Sequence, residues 1–431
     1  MIRSRCISVV ALFVSLCAAS VASAALTAVR FGTLVDGKGG VIKGAVVVLD
    51  GERVKSVGTT VPAGATVIDL SRYTGIPGLI DVHTHLTYNW DPESGVKPFD
   101  YSMFDEHPAI AVFHARKNAE RTLGAGVTTV RDLGAMQNND IAMRDLINQG
   151  LITGPRMFVC GIPLQITYTS SRPHLDFPNP GMVSGPTEVM RAVRQEVYGA
   201  GADWVKMFGS SGSGGDVSTR QTFTYEEMKA AADAAHALGV RLAVHSYGLE
   251  GARDAVRAGA NSVEHAVELD DSTLAEMRRR GTWYVPTVDH NRYYAEHAKE
   301  FGYGPAVVKD LDAFRERNLA TVRRARLAGV RIAMGSDALF TMCGENTREL
   351  RWFVQAGMTP AEALASATTS AAALLGKEQE LGAVAPGFFA DIVAVEGDPL
   401  QDVNVVIDHV VWVMKGGAVV VDRTAAGARK R

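Results

Sequence analysis

The sequence has few cysteines and little excess charge of either sign. Four cysteines occur among 431 residues, and two of them, Cys6 and Cys17, lie within the first 24 positions. The remaining pair, Cys160 and Cys343, is too small a set for a disulfide framework. The net charge is −3, and no long Lys/Arg run occurs outside the short tail at 429–431. The sequence therefore lacks the basic patch that is typical of nucleic-acid-binding proteins, and we expect no nucleic-acid partner.

The N-terminal segment is apolar but too short to cross a membrane comfortably. Arg3 and Arg5 precede an apolar run at 7–19, and a small-x-small cleavage pattern ends at Ala24. This order is typical of a signal peptide, so we expect residues 1–24 to be removed. The sequence therefore predicts an exported protein, periplasmic or secreted, with no membrane span.

The rest of the composition is that of a folded enzyme-sized chain. Hydrophobic residues make up 47% and charged residues 21% of the sequence, which favours a globular protein with ample core. At this length the chain exceeds one ordinary domain, but α/β barrels reach this size.

The middle of the chain alternates between strand-like and helix-like segments. Eight apolar strand candidates lie at 79–86, 127–133, 156–164, 204–208, 241–247, 262–269, 283–289 and 331–338. Helical patterns separate most of them, at 108–123, 188–198, 225–238, 272–280 and 307–327. Eight alternating units predict an α/β fold built on a (β/α)8 TIM barrel.

Both ends of the chain read instead as short antiparallel strands. The candidates are 26–31, 44–49, 54–57 and 67–69, then 390–396, 404–414 and 418–422. Such strands need partners to bury a face. We therefore expect a small β-sandwich made from both termini, 25–76 with 380–431, around a metal-binding barrel at 77–379.

Residues with metal-binding chemistry recur at the ends of the predicted barrel strands. The set is His83, His85, Lys206, His245, His265 and Asp337. Taken singly, a histidine is more often a core residue, Lys206 could extend its amine towards water, and Asp337 could cap a helix. Unrelated core residues have no reason to share the C-terminal strand ends, where barrel active sites are built. Jointly, they predict a metal centre.

The motifs around these residues resemble the metal-dependent amidohydrolase superfamily. The matching words are Pro77-Gly-Leu-Ile-Asp-Val-His-Thr-His, Gly126-Val-Thr-Thr-Val-Arg-Asp-Leu-Gly, Val205-Lys-Met-Phe, Val244-His-Ser-Tyr-Gly, Val263-Glu-His, Val285-Pro-Thr, Gly335-Ser-Asp and Pro386-Gly-Phe-Phe-Ala-Asp-Ile-Val. The resemblance covers nearly everything after the leader. It points to the branch of Xaa-Pro dipeptidases and imidazolonepropionase-like proteins, and it looks strongest to bacterial ochratoxin A-hydrolysing amidohydrolases.

The resemblance implies a binuclear site. His83, His85 and Asp337 would hold one divalent ion, and His245 and His265 the other. Lys206, carboxylated by CO2, would bridge them; zinc suits these ligands best, although manganese or cobalt would fit them too. The resemblance further implies that a hydroxide bridging the ions attacks an amide carbonyl, with Asp337 as general base and acid.

Further residues are expected to contact substrate. Tyr247 shares the inward face of His245 and could polarise the substrate carbonyl, although rim packing is the plainer interpretation. His290 follows the seventh strand. His174 lies in a long loop where relatives carry Gly-Gly-His and this chain has Ser-Arg-Pro-His. Arg172 and Arg220 could pair with a substrate carboxylate, although surface arginines are the default.

The predicted activity is cleavage of N-acyl amino acids or peptides in a carboxypeptidase- or dipeptidase-like reaction, including ochratoxin A as an acyl-phenylalanine. The alternatives are a cyclic amide or imidazolone hydrolase, a deaminase, or a non-enzymatic scaffold of the same fold. Deaminases typically lack the strand-4 lysine and carry a glutamate where this chain has Gly248. Scaffold proteins usually lose metal ligands, and none is missing here. Because relatives commonly form octamers, a homo-oligomer is expected.

Overall fold

The computed structural model describes residues 26–90, 93, 106–167 and 181–424. The expected signal peptide and the candidates Arg172 and His174 lie outside these ranges, so their assignments stay predictions. No helix in the described part of the chain is both long enough and apolar enough to cross a membrane.

The strands of the described residues are numbered here in chain order. They are β1 Thr27–Val35, β2 Val41–Lys43, β3 Val46–Asp50, β4 Arg53–Gly58, β5 Thr66–Pro77, β6 Leu79–Thr84, β7 Val127–Asp132, β8 Arg156–Val159, β9 Gln165–Ile166, β10 Met182–Val183, β11 Trp204–Phe208, β12 Arg241–Ser246, β13 Ser262–His265, β14 Trp283–Val285, β15 Ile392–Val395, β16 Val410–Lys415 and β17 Ala418–Asp422.

The α-helices of the same residues are also numbered in chain order. They are α1 Pro108–Gly124, α2 Asn139–Asn148, α3 Gly185–Arg194, α4 Tyr225–Ala237, α5 Leu249–Ala258, α6 Asp271–Arg280, α7 Val288–Glu296, α8 Ala298–Phe301, α9 Pro305–Leu327, α10 Glu349–Gln355, α11 Pro360–Ser366, α12 Thr369–Leu375 and α13 Asn404–Asp408. A π-helical stretch, Gln195–Ala200, continues α3.

Strands from both ends of the chain share one eight-stranded sheet in the order β17-β16-β15-β5-β1-β3-β4, with β2 on β1. The expectation of antiparallel pairing is wrong for one pair, since β1 and β5 run parallel. The β3–β4 hairpin lies between them in sequence and returns the chain to its starting direction. Trp412 is buried in the apolar core that strands of both termini build. The domain boundaries themselves stay a prediction.

The central strands form two parallel sheets, β6-β7-β8 and β11-β12-β13-β14. Isolated parallel bridges connect them further, from Leu164 to Met207 on one side and from Tyr284 to Ile332 and Thr84 to Ala338 on the other. Helices follow most of these strands. The arrangement is a TIM-barrel-like α/β fold, and it brings the C-terminal strand ends to one side.

The structure ends the third and sixth predicted strands early, at Val159 and His265, and corrects three others. The seventh ends at Val285, because Pro286 and the left-handed Thr287 interrupt it and α7 begins at Val288. The segment 331–338 forms isolated bridges but no continuous strand, because the amide of Met334 donates to the carbonyl of Ser366 and not to a neighbouring strand. Residues 404–408 are helical, because the Asp402 side chain accepts the amide of Asn404 and starts a turn.

A charged and aromatic junction joins the terminal sheet to the central strands. The guanidinium carbons of Arg53 and Arg156 each lie 4.1 Å from the centre of the Phe389 ring. Arg156 also pairs with Asp391 at 2.5 Å. Cation–π contacts of this kind contribute about 0.5–2 kcal/mol each. Phe389 therefore links the terminal sheet to the central strands.

Candidate metal centre

Four of the predicted residues surround one carboxylate, three from strand ends and His290 from helix α7. Asp337 Oδ1 lies 3.4 Å from His83 Nε2 and 3.2 Å from His85 Nε2. Asp337 Oδ2 lies 4.0 Å from His265 Nδ1 and 3.2 Å from His290 Nε2. His83 and His265 lie on different strands, so the cluster depends on the tertiary fold.

Lys206 and His245 complete the predicted set. Lys206 Nζ lies 3.3 Å from His83 Nε2 and is 2% exposed. The rings of His245 and His265 are 4.5 Å apart between their centres. His245 Nε2 is buried and has no hydrogen-bond partner among the described residues. A buried imidazole nitrogen without a partner is costly unless a ligand satisfies it.

The backbone around the cluster is strained. His265, Ala266, Thr287 and Asp337 have φ values of 67°, 40°, 52° and 56°. Left-handed backbone costs an L residue roughly 1–2 kcal/mol, and Thr287 is β-branched, for which this region is especially unfavourable. Such strain persists where surrounding contacts overdetermine it, and it concentrates at functional sites.

Burial favours neutral imidazoles in the cluster. Burial, assisted by the ammonium of Lys206, lowers the pKa of His83 to about 4. Burial likewise holds the pKa values of His245 and His265 well below the ordinary value. His85 differs: burial acts to lower its pKa, but its contacts with Asp337 prevail and raise it. Neutral imidazole is the form that binds metal ions.

The other two members of the cluster, Lys206 and Asp337, both have lowered pKa values, which favours the neutral form of the amine and the ionised form of the carboxylate. Burial lowers the pKa of the Lys206 amine. Burial alone would raise the pKa of Asp337, but the rings of His290, His83 and His85 hold it well below its ordinary value. The cluster thus combines an ionised carboxylate with an amine that is unusually easy to deprotonate.

A second layer orients the histidines. His83 Nδ1 contacts Glu264 Oε2 at 2.9 Å, His85 Nδ1 contacts the Gly134 carbonyl at 3.0 Å, and His265 Nδ1 contacts the Thr287 hydroxyl at 2.6 Å. If each Nδ1–H donates in these contacts, the Nε2 lone pair is left for a metal.

Sequence reasoning missed Glu264 and its partner Arg131. Arg131 Nη2 donates to both Glu264 oxygens at 3.0 and 3.1 Å, and both side chains are fully buried. Burial opposes ionisation of Glu264, but Arg131 and His83 lower its pKa to about 2. Charged residues inside apolar strands require a buried partner, and this was the available signal for the pair.

The predicted substrate residues are divided between the site and the surface. Tyr247 is buried, and its ring centre lies 4.8 Å from that of His245 and 5.2 Å from that of His265. His290 joins the cluster, with Nδ1 3.0 Å from the Asp337 carbonyl. Arg220 is exposed, and its guanidinium makes no hydrogen bond or ion pair with any described residue. Arg220 therefore lacks a contact with the cluster.

The side chains fit divalent metal ions. Ligand atoms of His83, His265 and Asp337 all lie within 4.8 Å of one another, and all three residues are buried. Imidazole and carboxylate ligands suit zinc and related ions. The unpartnered nitrogen of His245 and the Nδ1 contacts of the second layer agree with this use. The residues present therefore form a candidate metal centre.

Comparison with known proteins gives concordant matches. A model described as "Amidohydrolase family" matches residues 74–420. An ochratoxinase from Aspergillus niger is 28% identical over 435 residues, which cover 93% of this chain and 87% of that protein. Its crystal structure has a TM-score of 0.79 at 26% identity, covering 92% of this chain and 96% of that chain.

Two further relatives come from the branch that the motifs indicated. The structure of a Xaa-Pro dipeptidase with bound methionine in its active site has a TM-score of 0.82 at 33% identity, covering 92% of this chain and 99% of that chain. An imidazolonepropionase from Geobacillus kaustophilus is 25% identical over 387 residues, 84% of each protein. The resemblance drawn from the motifs is confirmed.

Proposed function

The chain belongs to the amidohydrolase family and is a hydrolase, and from this premise we propose that it cleaves the amide bond of N-acyl amino acids or peptides at a binuclear metal site. The relatives include a dipeptidase and an ochratoxinase, whose names indicate acyl-amino-acid substrates. We therefore propose ochratoxin A, an acyl-phenylalanine, among the substrates to be tested.

In this proposal His83, His85 and Asp337 hold one ion, and His245 and His265 hold the other. Divalent ions at these positions, zinc in our proposal, would activate water near neutral pH and polarise the scissile carbonyl. The second layer keeps the ligands in place: Glu264 orients His83, and Thr287 orients His265.

Lys206 would bridge the two groups of ligands after carboxylation. Its amine is buried beside His83, and burial lowers its pKa, which increases the fraction of neutral amine. The neutral nitrogen forms a bond to the carbon of CO2 and releases a proton, which leaves an anionic carbamate. The carbamate offers two oxygens where the free ammonium would repel cations.

Asp337 and His290 are placed to handle the proton. His290 Nδ1 faces the Asp337 carbonyl, while its Nε2 lies 3.2 Å from Asp337 Oδ2. A single proton, carried by either Nε2 or Oδ2, is enough to form a hydrogen bond between these two atoms. We propose that Asp337 accepts the proton of the attacking water and returns it to the leaving nitrogen, with His290 stabilising the protonated state.

Tyr247 would act as a neutral hydrogen-bond donor to the substrate carbonyl. Burial, the largest influence, raises the pKa of its phenol, so the hydroxyl keeps its proton at neutral pH. The Tyr247 ring packs against the rings of His245, His265 and Phe314, which fixes its direction. A preorganised donor of this kind stabilises negative charge on oxygen in the transition state.

The observation that carries the proposal is the convergence of four imidazoles, those of His83, His85, His265 and His290, on the Asp337 carboxylate. The test is a screen of zinc-reconstituted enzyme against N-acyl amino acids and dipeptides, with ochratoxin A included. We expect release of the C-terminal amino acid from several of these compounds. Turnover confined to lactones or cyclic ureas would overturn the amide assignment.

We also propose the finer architecture and the cellular location. The parallel bridges at Leu164 and Ile332 support one closed (β/α)8 barrel over 77–379. The shared core of the terminal strands supports a small composite β-sandwich domain. Cleavage after Ala24 would export the mature enzyme, and N-terminal sequencing of secreted material tests this. Assembly as a homo-oligomer stays a prediction for light scattering.

A further inference from the structure

The first turn of α7 supplies contacts to two groups of the candidate site. The Thr287 hydroxyl contacts His265 Nδ1 at 2.6 Å. His290 contacts Asp337 through both ring nitrogens. A small displacement of this one turn would therefore disturb a metal ligand and the proposed base together.

This turn lacks the usual local cap. Thr287 occupies the N-cap position of α7, yet its side chain makes no capping hydrogen bond. Its hydroxyl contacts His265 instead. The first amides of a helix have no partner within the helix and need an acceptor from elsewhere. At a left-handed N-cap residue that is already strained, this need is greater.

Glu349, from the start of α10, provides that acceptor. Its two carboxylate oxygens accept the amides of Val288 at 2.9 Å and Asp289 at 2.8 Å. Glu349 is fully buried, and no ion pair to it forms among the described residues. Burial raises the pKa of Glu349 well above its ordinary value, and the two amide contacts oppose this shift by stabilising the ionised carboxylate.

A second contact from α10 reaches the same turn. Trp352 Nε1 donates to Asp289 Oδ1 at 2.8 Å. Helix α10 therefore holds the first turn of α7 at its backbone and at one side chain. Neither Glu349 nor Trp352 belongs to the metal ligands.

We infer that Glu349 is a positioning residue, which caps α7 from a neighbouring helix so that Thr287 and His290 are free to serve the metal centre. The inference rests on the proposed binuclear function. Its role is indirect, because Glu349 acts through the backbone of Val288 and Asp289 and contacts none of the reacting groups.

The test compares Glu349→Gln with Glu362→Gln in the full-length holoenzyme. Glu362 also accepts a backbone amide at a helix start, that of Thr359 at 2.7 Å, but it is exposed and lies in α11. Each purified protein is stripped of metal and titrated with zinc alone by calorimetry. The kcat and KM are then measured on the best substrate of the screen.

Glu349→Gln presents an amide NH2 to a backbone N–H and thereby loses one cap contact. We expect zinc affinity for the weaker site to fall about ten- to a hundredfold, as for outer-layer partners of metal ligands. We also expect kcat to fall while KM changes little, and Glu362→Gln to match wild type. Unchanged zinc affinity and kcat with a lower melting temperature would show a merely structural role and overturn the inference.

Two further outcomes keep the test decisive. If Glu349→Gln does not fold, Trp352→Phe, which removes the bond to Asp289 and part of the ring that faces the Arg315 guanidinium, should show the same shifts at smaller size. Wild-type values for Trp352→Phe would then overturn the inference. Wild type that binds less than one zinc per chain would instead refute the proposed function, so the two failures are distinguishable.

Discussion

The strand ends and the first turn of α7 contribute to the same site in different ways. His83, His85, Lys206, His245 and His265 lie in or directly after parallel strands, whose register brings their side chains to one place. The α7 turn contacts the site from outside the sheets. The backbone of its N-cap residue, Thr287, is strained, and Glu349 from helix α10 caps the turn in place of the Thr287 side chain. Ligand identity therefore follows from sheet geometry, whereas ligand orientation depends on contacts between distant segments.

This difference predicts a hierarchy of mutational effects. Removing a group that holds metal or moves a proton should abolish the reaction. Removing a group that orients such a residue should weaken metal binding or stability by a smaller amount, because the ligand itself is still present.

The largest effect is expected from Asp337→Asn. Asparagine keeps the size of the side chain but cannot accept the proton, and it is a weaker metal ligand. We expect kcat/KM to fall by about 10³-fold or more. Steady-state kinetics with saturating zinc measures this. A loss below tenfold would show that Asp337 is neither base nor essential ligand.

Glu264→Gln tests the second layer beneath the strand ends. It leaves buried Arg131 without its anion and weakens the contact to His83. Breaking a buried ion pair typically costs about 3–5 kcal/mol, so we expect the free energy of unfolding to fall by about 3 kcal/mol.

Urea denaturation of the metal-free proteins checks this prediction. Glu276→Gln is the matched control, because Glu276 pairs with Arg279 and Arg280 at the surface. We expect no measurable change for the control. Equal stability of the two variants would contradict the importance of the buried pair.

Thr287→Val tests the α7 turn at a single hydroxyl. Valine preserves the shape and the β-branched strain while removing the partner of His265 Nδ1. Zinc affinity should fall about tenfold, at the lower end of the range for outer-layer groups. Thr282→Val is the control, since within the described ranges that buried hydroxyl bonds only the Ala260 carbonyl. Equal zinc affinity for both variants would remove Thr287 from the metal site.

The last prediction changes no residue and concerns the protonation of His83. Its lowered pKa, about 4, means that the folded metal-free protein binds this proton less readily than the unfolded chain. The contribution of His83 to stability is therefore fully present above pH 6.5 and is lost as the pH falls towards 4. An NMR titration of the metal-free protein should place its midpoint near 4. A midpoint near 6.5 would contradict the burial argument.

Many of the site residues could be predicted from the sequence, because the alternation of side chains along a strand and the order of the strands are local patterns. The pair at His83 and His85 shows this, since both lie at the end of a recognisable apolar run. The α7 turn was not accessible, because the apolar run after Trp283 gives no sign that Thr287 turns left-handed. Glu349 lies some 60 positions further along, and only the fold brings it to Val288.

Glu264 and Arg131 represent an intermediate case. Both lie within apolar strand segments, which signals that each needs a buried partner. The signal does not say that the two pair with each other, because β7 and β13 are not neighbours in their sheets. Their pairing across the interior depends on how the two sheets face each other.

The most direct test of the central claim is the metal content of wild type and Lys206→Ala after zinc reconstitution and removal of free metal. The account predicts two zinc ions per wild-type chain, activity that is lost on chelation, and a lower zinc content together with a lower rate in Lys206→Ala. Less than one ion per wild-type chain, with activity that survives the chelator, would contradict it.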